Sequence, residues 1–237
     1  MIGVIGGSGL ASPTLFIEPK ETFAETPFGA TSGPVVLARH RTMRVAFLSR
    51  HGPELRIPPH RVNHRANLWA LKEAGADRII GVSSVGSLKL PIRPGTFVAP
   101  HDYVAFWDIP TYFDDEATHV TPTMDDGLRK VLLSAARKEG ARVAAKGVYV
   151  QATGPRLETK AEIAFFATIG DVVGMTVASE ATLAAELGVP YAALCSVDNY
   201  AHGLAAKPVT FSEIQVMQRK NSRATEALLA AALEALR

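Results

Sequence analysis

The chain has 237 residues, 47% of them hydrophobic and 20% charged, a composition ordinary for a folded domain with a sizeable core. Its net charge is +2, with acidic and basic residues interspersed, so nothing recommends a nucleic acid or an anionic membrane as partner. The single cysteine, Cys195, allows no internal disulfide, no apolar run approaches the ~18 residues of a membrane span, and MIGVIGGSGL lacks the features of an export signal, so a reducing cytoplasm is expected.

In chain order, Ile2–Ile5 reads as a short apolar strand ending in Gly6-Gly7-Ser8-Gly9. Pro34–Ala38 and Arg44–Ser49 read as strands, the second ending at Arg50-His51-Gly52. Val62–Ala74 carries its apolar residues on one helical face, and Gly75 stops it. Arg78–Val82 is a strand followed by a hydroxyl-rich loop, Ser83-Ser84-Val85-Gly86-Ser87, and Thr96–Pro100 is a further strand. Trp107–Thr123 is irregular and reads as a long surface excursion, the kind of segment used for lids or subunit contacts. Asp126–Gly140 predicts a helix, Gly147–Ala152 a strand, Lys160–Ile169 a helix, Val172–Met175 a strand and Ser179–Leu187 a helix. Tyr191–Val197 predicts a strand ending at Asp198-Asn199, and Phe211–Leu236 one long amphipathic helix. With no repeat, low-complexity segment or linker, residues 1–237 form one domain. Strands and helices intermixed, with special loops directly after strands, predict an α/β sheet whose strand ends gather into one site.

The central stretch is Gln151–Glu162, QATGPRLETKAE. Gly154-Pro155 breaks the strand, Thr159 is placed to cap the helix beginning at Lys160, and Glu158 is offered at a buried strand end. Elsewhere, Gly6–Gly9 supplies amides and a hydroxyl, Arg50 a guanidinium fork suited to phosphate, and Ser83–Ser87 further donors. Taken singly, each is as well explained by a turn or a surface arginine. Together, with no metal-ligand spacing among the seven histidines, they point to one oxyanion such as phosphate and to metal-free chemistry. The Gly6–Gly9 spacing is not that of a dinucleotide site, and no GxSxG, HExxH or CxxC nucleophile or metal pattern occurs.

GVIGGSGL, LSRHGPELRIPPHRVNHRANLWALKEAGA, VSSVGSL…IRPGTFV, GVYVQATGPRLETKAE, VVGMTVASEATLAAELGVPYAAL and SVDNYAHG occur in that order. On these segments the chain resembles, from end to end, the trimeric purine nucleoside phosphorylase and methylthioadenosine phosphorylase family. The resemblance implies a three-layer phosphorylase/hydrolase-like α/β fold, with a mixed central sheet flanked by helices. It implies phosphorolysis of a purine nucleoside to free base and sugar 1-phosphate, with inorganic phosphate as co-substrate, no cofactor and no metal. It also implies a homotrimer, or a hexamer built as a dimer of trimers.

Carried over by position, Ser8, Arg50, His51 and Ser83 match phosphate-binding residues, with the Ser84 amide nearby and Thr176 touching phosphate and sugar. Met175 matches the residue beneath the ribose, and His119 one that reaches the neighbouring subunit's sugar pocket. Leu157, Glu158 and Asn199 match base-contacting positions, and Val209, Ile214 and Met217 are expected at the sugar's five-prime end. Glu158, Asn199 and His51 are the expected catalytic residues. Methylthioadenosine phosphorylases resemble one another in having Ser where this chain has Glu158, and Asp where it has Asn199 and Ala201. A 6-oxopurine carries a hydrogen on N1 that a carboxylate accepts, whereas adenine does not, so a 6-oxopurine nucleoside or methylthioinosine is the expected substrate. GVYV…GPRLETKAEI and the short length resemble the methylthioinosine phosphorylases. Methylthioadenosine phosphorolysis is the alternative within the class; a nucleosidase or a non-catalytic nucleoside-binding protein stand further off. Two departures matter. Asp198 stands where small residues are usual and would face N7 of adenine if the loop shifted by one; Ser179 replaces a common Pro and is expected to loosen its helix start.

Overall fold

Ile2–Gly6 (β1) is buried at every position, which a strand tolerates only at the centre of a sheet covered on both faces. The structure, a computed structural model, describes residues 1–10, 13–107, 109–205 and 209–236. The other strands are β2 (Ile17–Thr22), β3 (Val35–His40), β4 (Met43–Ser49), β5 (Arg78–Ser87), β6 (Phe97–Val98), β7 (Asp102–Ala105), β8 (Val143–Ala144), β9 (Val148–Gln151), β10 (Val172–Gly174) and β11 (Tyr191–Tyr200). The helices are α1 (His64–Glu73), α2 (Asp126–Lys138), α3 (Lys160–Ile169), α4 (Val177–Glu186) and α5 (Phe211–Ala235). The strands run β2-β3-β4-β1-β5-β10-β9-β7, with β11 pairing β5 and β6, and β6 pairing β8. β1 is parallel to β4 and β5, while β10 meets β5 antiparallel, so the sheet is mixed.

Alternation along the central strands builds two cores. Ile5, Leu48 and Ile79 pack on the side of Leu68 and Leu71 of α1 and Leu183 of α4. Val4, Phe47 and Ile80 pack on the other side, against Leu132 of α2 and Leu229 of α5. The expected three layers are therefore present. A smaller cluster seats Ile163 and Phe166 of α3 on Val150 and Val173.

β5 departs most from expectation and positions the site. Ser83–Ser87 is not a loop: the strand runs on to Ser87 because β11 pairs with it in parallel along nearly its full length. On its other side, pairing with β1 ends at Ile5↔Gly81, and pairing with β10 begins only at Gly86. Between those points one edge of β5 faces no strand among the described residues, and the sheet parts there. A crevice at the point where sheet neighbours diverge is where α/β folds bind ligands.

β11 also outruns its expected end. It continues through Asn199 and Tyr200, with a register shift between Val197 and Asn199 that makes Asp198 a bulge. α1 begins at His64, capped by Asn63 rather than reaching back to Val62, and α4 begins at Val177, two residues before Ser179. The Thr96–Pro100 strand shortens to β6, while β2, β7 and β8 were not anticipated. The Thr159 cap is present as a reciprocal capping box: Glu162 N donates to Thr159 Oγ1 at 3.2 Å, and Thr159 N to Glu162 Oε2 at 2.7 Å. No described residue between Trp107 and Thr123 is helix or strand, yet the segment is tied down at Tyr112, whose Oη donates to Arg65 O (2.7 Å) and whose N–H donates to Glu186 (2.7 Å).

Candidate active site

The parting of the sheet opens into a cavity of about 480 Å³, within the range of small-molecule sites. Ser8, Arg50, His51, Ser83, Ser84, Leu157, Glu158, Met175, Thr176 and Asn199 all line it. Ten residues chosen from six separate segments thus converge on one hollow. Val209 and Ile214 join them, as do Phe211, Gln218 and His202; Met217 does not.

Arg50 is 1% exposed and lies under the glycine loop, where a Cβ on Gly7 would come within 2.6 Å of Nη1 and 2.8 Å of Val82 O. Its predicted bidentate edge is taken by a side chain that sequence reasoning passed over. Nε and Nη2 (3.0 Å) both donate to the carboxylate of Glu180 on α4, and Nη1 donates to Val82 O at 2.9 Å. Three of the five guanidinium donors are thereby committed, leaving two for a ligand. Burial works against the Arg50 charge, but Glu180 beside it prevails and holds its pKa above the ordinary value. Tyr191 Oη donates to the same carboxylate at 2.7 Å. An acid in the first turn of α4, within the otherwise uncharged run VASEATLAA, was the available signal for Glu180.

His51 Nδ1 donates to Ile57 O at 2.8 Å, which places the neutral ring's proton on Nδ1 and leaves Nε2 an acceptor. Burial and the neighbouring Arg50 push its pKa below the usual histidine value. His64, behind Arg50, is driven further, to about 4, chiefly by burial.

α4 starts against the cavity floor, and β9 satisfies its first amides. Tyr149 Oη accepts from Thr176 N (3.1 Å) and Val177 N (3.3 Å); Gln151 Oε1 accepts from Ala178 N (2.8 Å) and Ser179 N (3.1 Å). Gln151 Nε2 donates to Ser179 Oγ at 2.6 Å. Ser179 therefore fastens the helix start instead of loosening it, and a proline could make neither bond. Thr176, the N-cap, makes no cap bond with its own side chain, so its hydroxyl stays available to the cavity.

Glu158, which also lines the cavity, is 8% exposed and forms no ion pair among the described residues. Burial raises its pKa above the ordinary carboxylate range. Arg156, beside it in sequence, turns outward and grips Glu162 with two bonds of 2.8 and 2.7 Å. Asn199 donates to Tyr200 O at 2.9 Å.

Two expectations change. Asp198 does not line the cavity: its bulge turns the carboxylate toward α5, where Ser84 Oγ, Ser196 Oγ and Asn221 Nδ2 donate to it. A base contact by Asp198 is therefore set aside. His119 is exposed and lines none of the described hollows of its own chain. Among the described residues, no cluster of His, Cys, Asp and Glu is arranged to hold a metal ion, and no helix is long and apolar enough to cross a membrane.

The profile of the phosphorylase superfamily matches residues 1–234. The chain belongs to that superfamily. Among its relatives, a probable 6-oxopurine nucleoside phosphorylase of Archaeoglobus fulgidus is 44% identical over 94% of this chain and 91% of its own length. A probable S-methyl-5'-thioinosine phosphorylase of Methanothermobacter thermautotrophicus is 42% identical over 94% and 80%. An S-methyl-5'-thioadenosine phosphorylase of Thermofilum pendens is 38% identical over 97% and 89%. Among solved structures, the methylthioadenosine phosphorylase of Schistosoma mansoni in complex with adenine superposes with a TM-score of 0.91, at 28% identity, over 99% of this chain and 91% of that one. The superfamily membership and this superposition agree with the fold described above.

Proposed function

We propose that this protein catalyses the phosphorolysis of purine nucleosides, releasing the free base and a ribose or methylthioribose 1-phosphate, with 6-oxopurine bases preferred. The observation that carries the reading is the meeting of two kinds of group in one cavity. Glu158, a buried carboxylate with no ion pair among the described residues, lines it together with a donor-rich set, Ser8, Arg50, His51, Ser83, Ser84 and Thr176. A donor-rich set suits an oxyanion. An unpaired carboxylate suits an N–H donor, which N1 of hypoxanthine or guanine supplies and N1 of adenine does not.

The chemistry follows from that arrangement. A phosphate oxygen bonds to the anomeric carbon as its bond to purine N9 breaks, through an oxocarbenium-like state. The bonding pair leaves on the purine, where the Asn199 amide donates to the developing charge and Glu158 holds the N1 hydrogen. His51 Nε2 accepts a hydrogen bond from the phosphate hydroxyl, whose proton is released as the sugar ester forms and is balanced by one that the departing purine takes up from water, and Met175 supports the ribose from below. No metal or cofactor enters, and inorganic phosphate is the co-substrate.

Val209, Phe211 and Ile214 give the cavity an apolar side, shared with the polar Gln218 and His202; taken as the sugar end, it favours a methylthio group over a bare hydroxyl. Methylthioinosine is therefore included with inosine and guanosine. The same side favours the second reading, methylthioadenosine phosphorolysis. A coupled assay with inosine, guanosine, methylthioinosine, adenosine and methylthioadenosine decides: exclusive turnover of the adenine compounds defeats the base assignment, and turnover without phosphate makes the protein a nucleosidase.

The proposal extends to a cytoplasmic homotrimer, or a dimer of such trimers. Phe106, Trp107 and Phe165 form an exposed aromatic patch, and Trp107 also lines two hollows, of about 450 and 410 Å³, beside the cavity. Exposed His119 is then free to reach a neighbour's sugar pocket. Light scattering that finds a fully active monomer would contradict this arrangement.

A further inference from the structure

Asp198 is 4% exposed, outside the cavity, and faces no cation among the described residues. Neutral donors surround it instead. Ser84 Oγ donates to Oδ2, while Ser196 Oγ and Asn221 Nδ2 (2.7 Å) donate to Oδ1. Ser84 Oγ accepts in turn from Gln218 Nε2 at 3.1 Å. Ser84 lies on β5 and Ser196 on β11, paired in register; Gln218 and Asn221 are three residues apart on one face of α5. One buried carboxylate thus joins two strands of the cavity wall to the helix above them.

The directions of these bonds are fixed by valence. An ionised carboxylate only accepts, so the single hydroxyl proton of Ser84 is committed to Asp198. Gln218 lines the cavity together with Phe211 and Ile214 of the same helix. Bonds to a buried charge are roughly twice as strong as neutral ones, so the clamp resists displacement of α5 more than ordinary side-chain contacts do.

We propose that Asp198 is a positioning residue: through Ser84 and Asn221 it fixes the first half of α5 over the sugar end of the cavity, and so sets nucleoside affinity without touching substrate. The kinetic consequence rests on the phosphorolysis proposed above; the clamp does not.

The test uses the full chain with Asp198→Asn, Asn221→Ala and the double variant. Asparagine keeps the shape but supplies one acceptor oxygen and an amide that must face donors. Asn221 lies outside the cavity, so its variant isolates the clamp and serves if Asp198→Asn folds poorly. Each single variant is expected to raise the nucleoside KM about tenfold or more, with kcat and the phosphate KM within about threefold. The double variant should be no worse than the worse single one, because both break the same unit. In the ligand-free protein, backbone amides of residues 211–221 should exchange with solvent faster in each variant, with those of β5 unchanged. Nucleoside KM within twofold of the parent in both variants, additive losses seen only in the melting temperature, or unchanged exchange in α5 would each overturn the proposal. If the parent turns over no nucleoside, the phosphorolysis reading has failed, and the exchange measurement alone decides the clamp.

Discussion

Glu180 holds Arg50 from beneath the cavity, both carboxylate oxygens accepting from the guanidinium, with each side chain 1% exposed. The pair fixes where the two remaining arginine donors point. Removing one partner of a buried pair leaves a bare charge and costs about 3–5 kcal/mol, whereas replacing both with apolar groups costs far less. Glu180→Gln is therefore expected to lower both stability and phosphate affinity. The double variant Arg50→Met/Glu180→Met should regain most of the stability and none of the phosphate binding. Urea denaturation and phosphate titration, run side by side, separate the two effects.

Glu158 is expected to choose the base. Glu158→Ser leaves N1–H of a 6-oxopurine without its acceptor, and kcat/KM for inosine-type substrates should fall by ~10²-fold or more. Steady-state kinetics on inosine and methylthioinosine check it, and an unchanged value would make Glu158 structural. Because burial raises the Glu158 pKa, the acid limb of the kcat/KM profile should lie above the ordinary glutamate range and vanish in Glu158→Gln.

Acid should unfold the protein through His64. Its folded pKa of about 4 lies below the unfolded value of about 6.5. The unfolded state therefore binds the proton more tightly. Stability is unaffected above pH 6.5, declines as the pH falls toward 4, and by then has lost on the order of 3 kcal/mol. His64→Gln should flatten this part of the curve, measured as the difference between the two proteins' unfolding free energies at pH 7 and pH 4.5.

Gln151 is expected to matter more than its distance from the chemistry suggests. Gln151→Ala leaves Ala178 N and Ser179 N without their side-chain acceptor at the buried start of α4, a loss of about 1–3 kcal/mol. Thermal denaturation would register it, and the displaced Thr176 should raise the phosphate KM as well.

What could be read from the chain alone was whatever is encoded locally. The buried run Ile2–Ile5, the glycines that end helices and the Thr159–Glu162 capping box each depend on neighbours a few residues away. So does GPRLETKAE, which with RHG…HRVNHRANLWAL is one of the two highly specific segments. β2 escaped notice because IEPKET is exposed along its length and alternates nothing; only pairing with β3 makes it a strand. Ser83–Ser87 looked like a loop for its hydroxyls and glycine, yet β11 holds it extended. The aim of Asp198 depends on a bulge that leaves no mark in nearby sequence, and the local run around Glu180 marks the acid but not its partner 130 residues away.

The pairing of Arg50 with Glu180 has a bearing on how the anion arrives. The two formal charges cancel, His51 is uncharged at neutral pH, exposed Arg56 at the rim leans on Glu54, and the remaining carboxylate, Glu158, offers an anion no attraction. Such a mouth exerts little far-reaching pull, so encounter proceeds by undirected diffusion and responds weakly to added salt. Capture falls instead to short-range contacts that must form one by one, and the same lack of a strong field lets a freshly made sugar ester drift away.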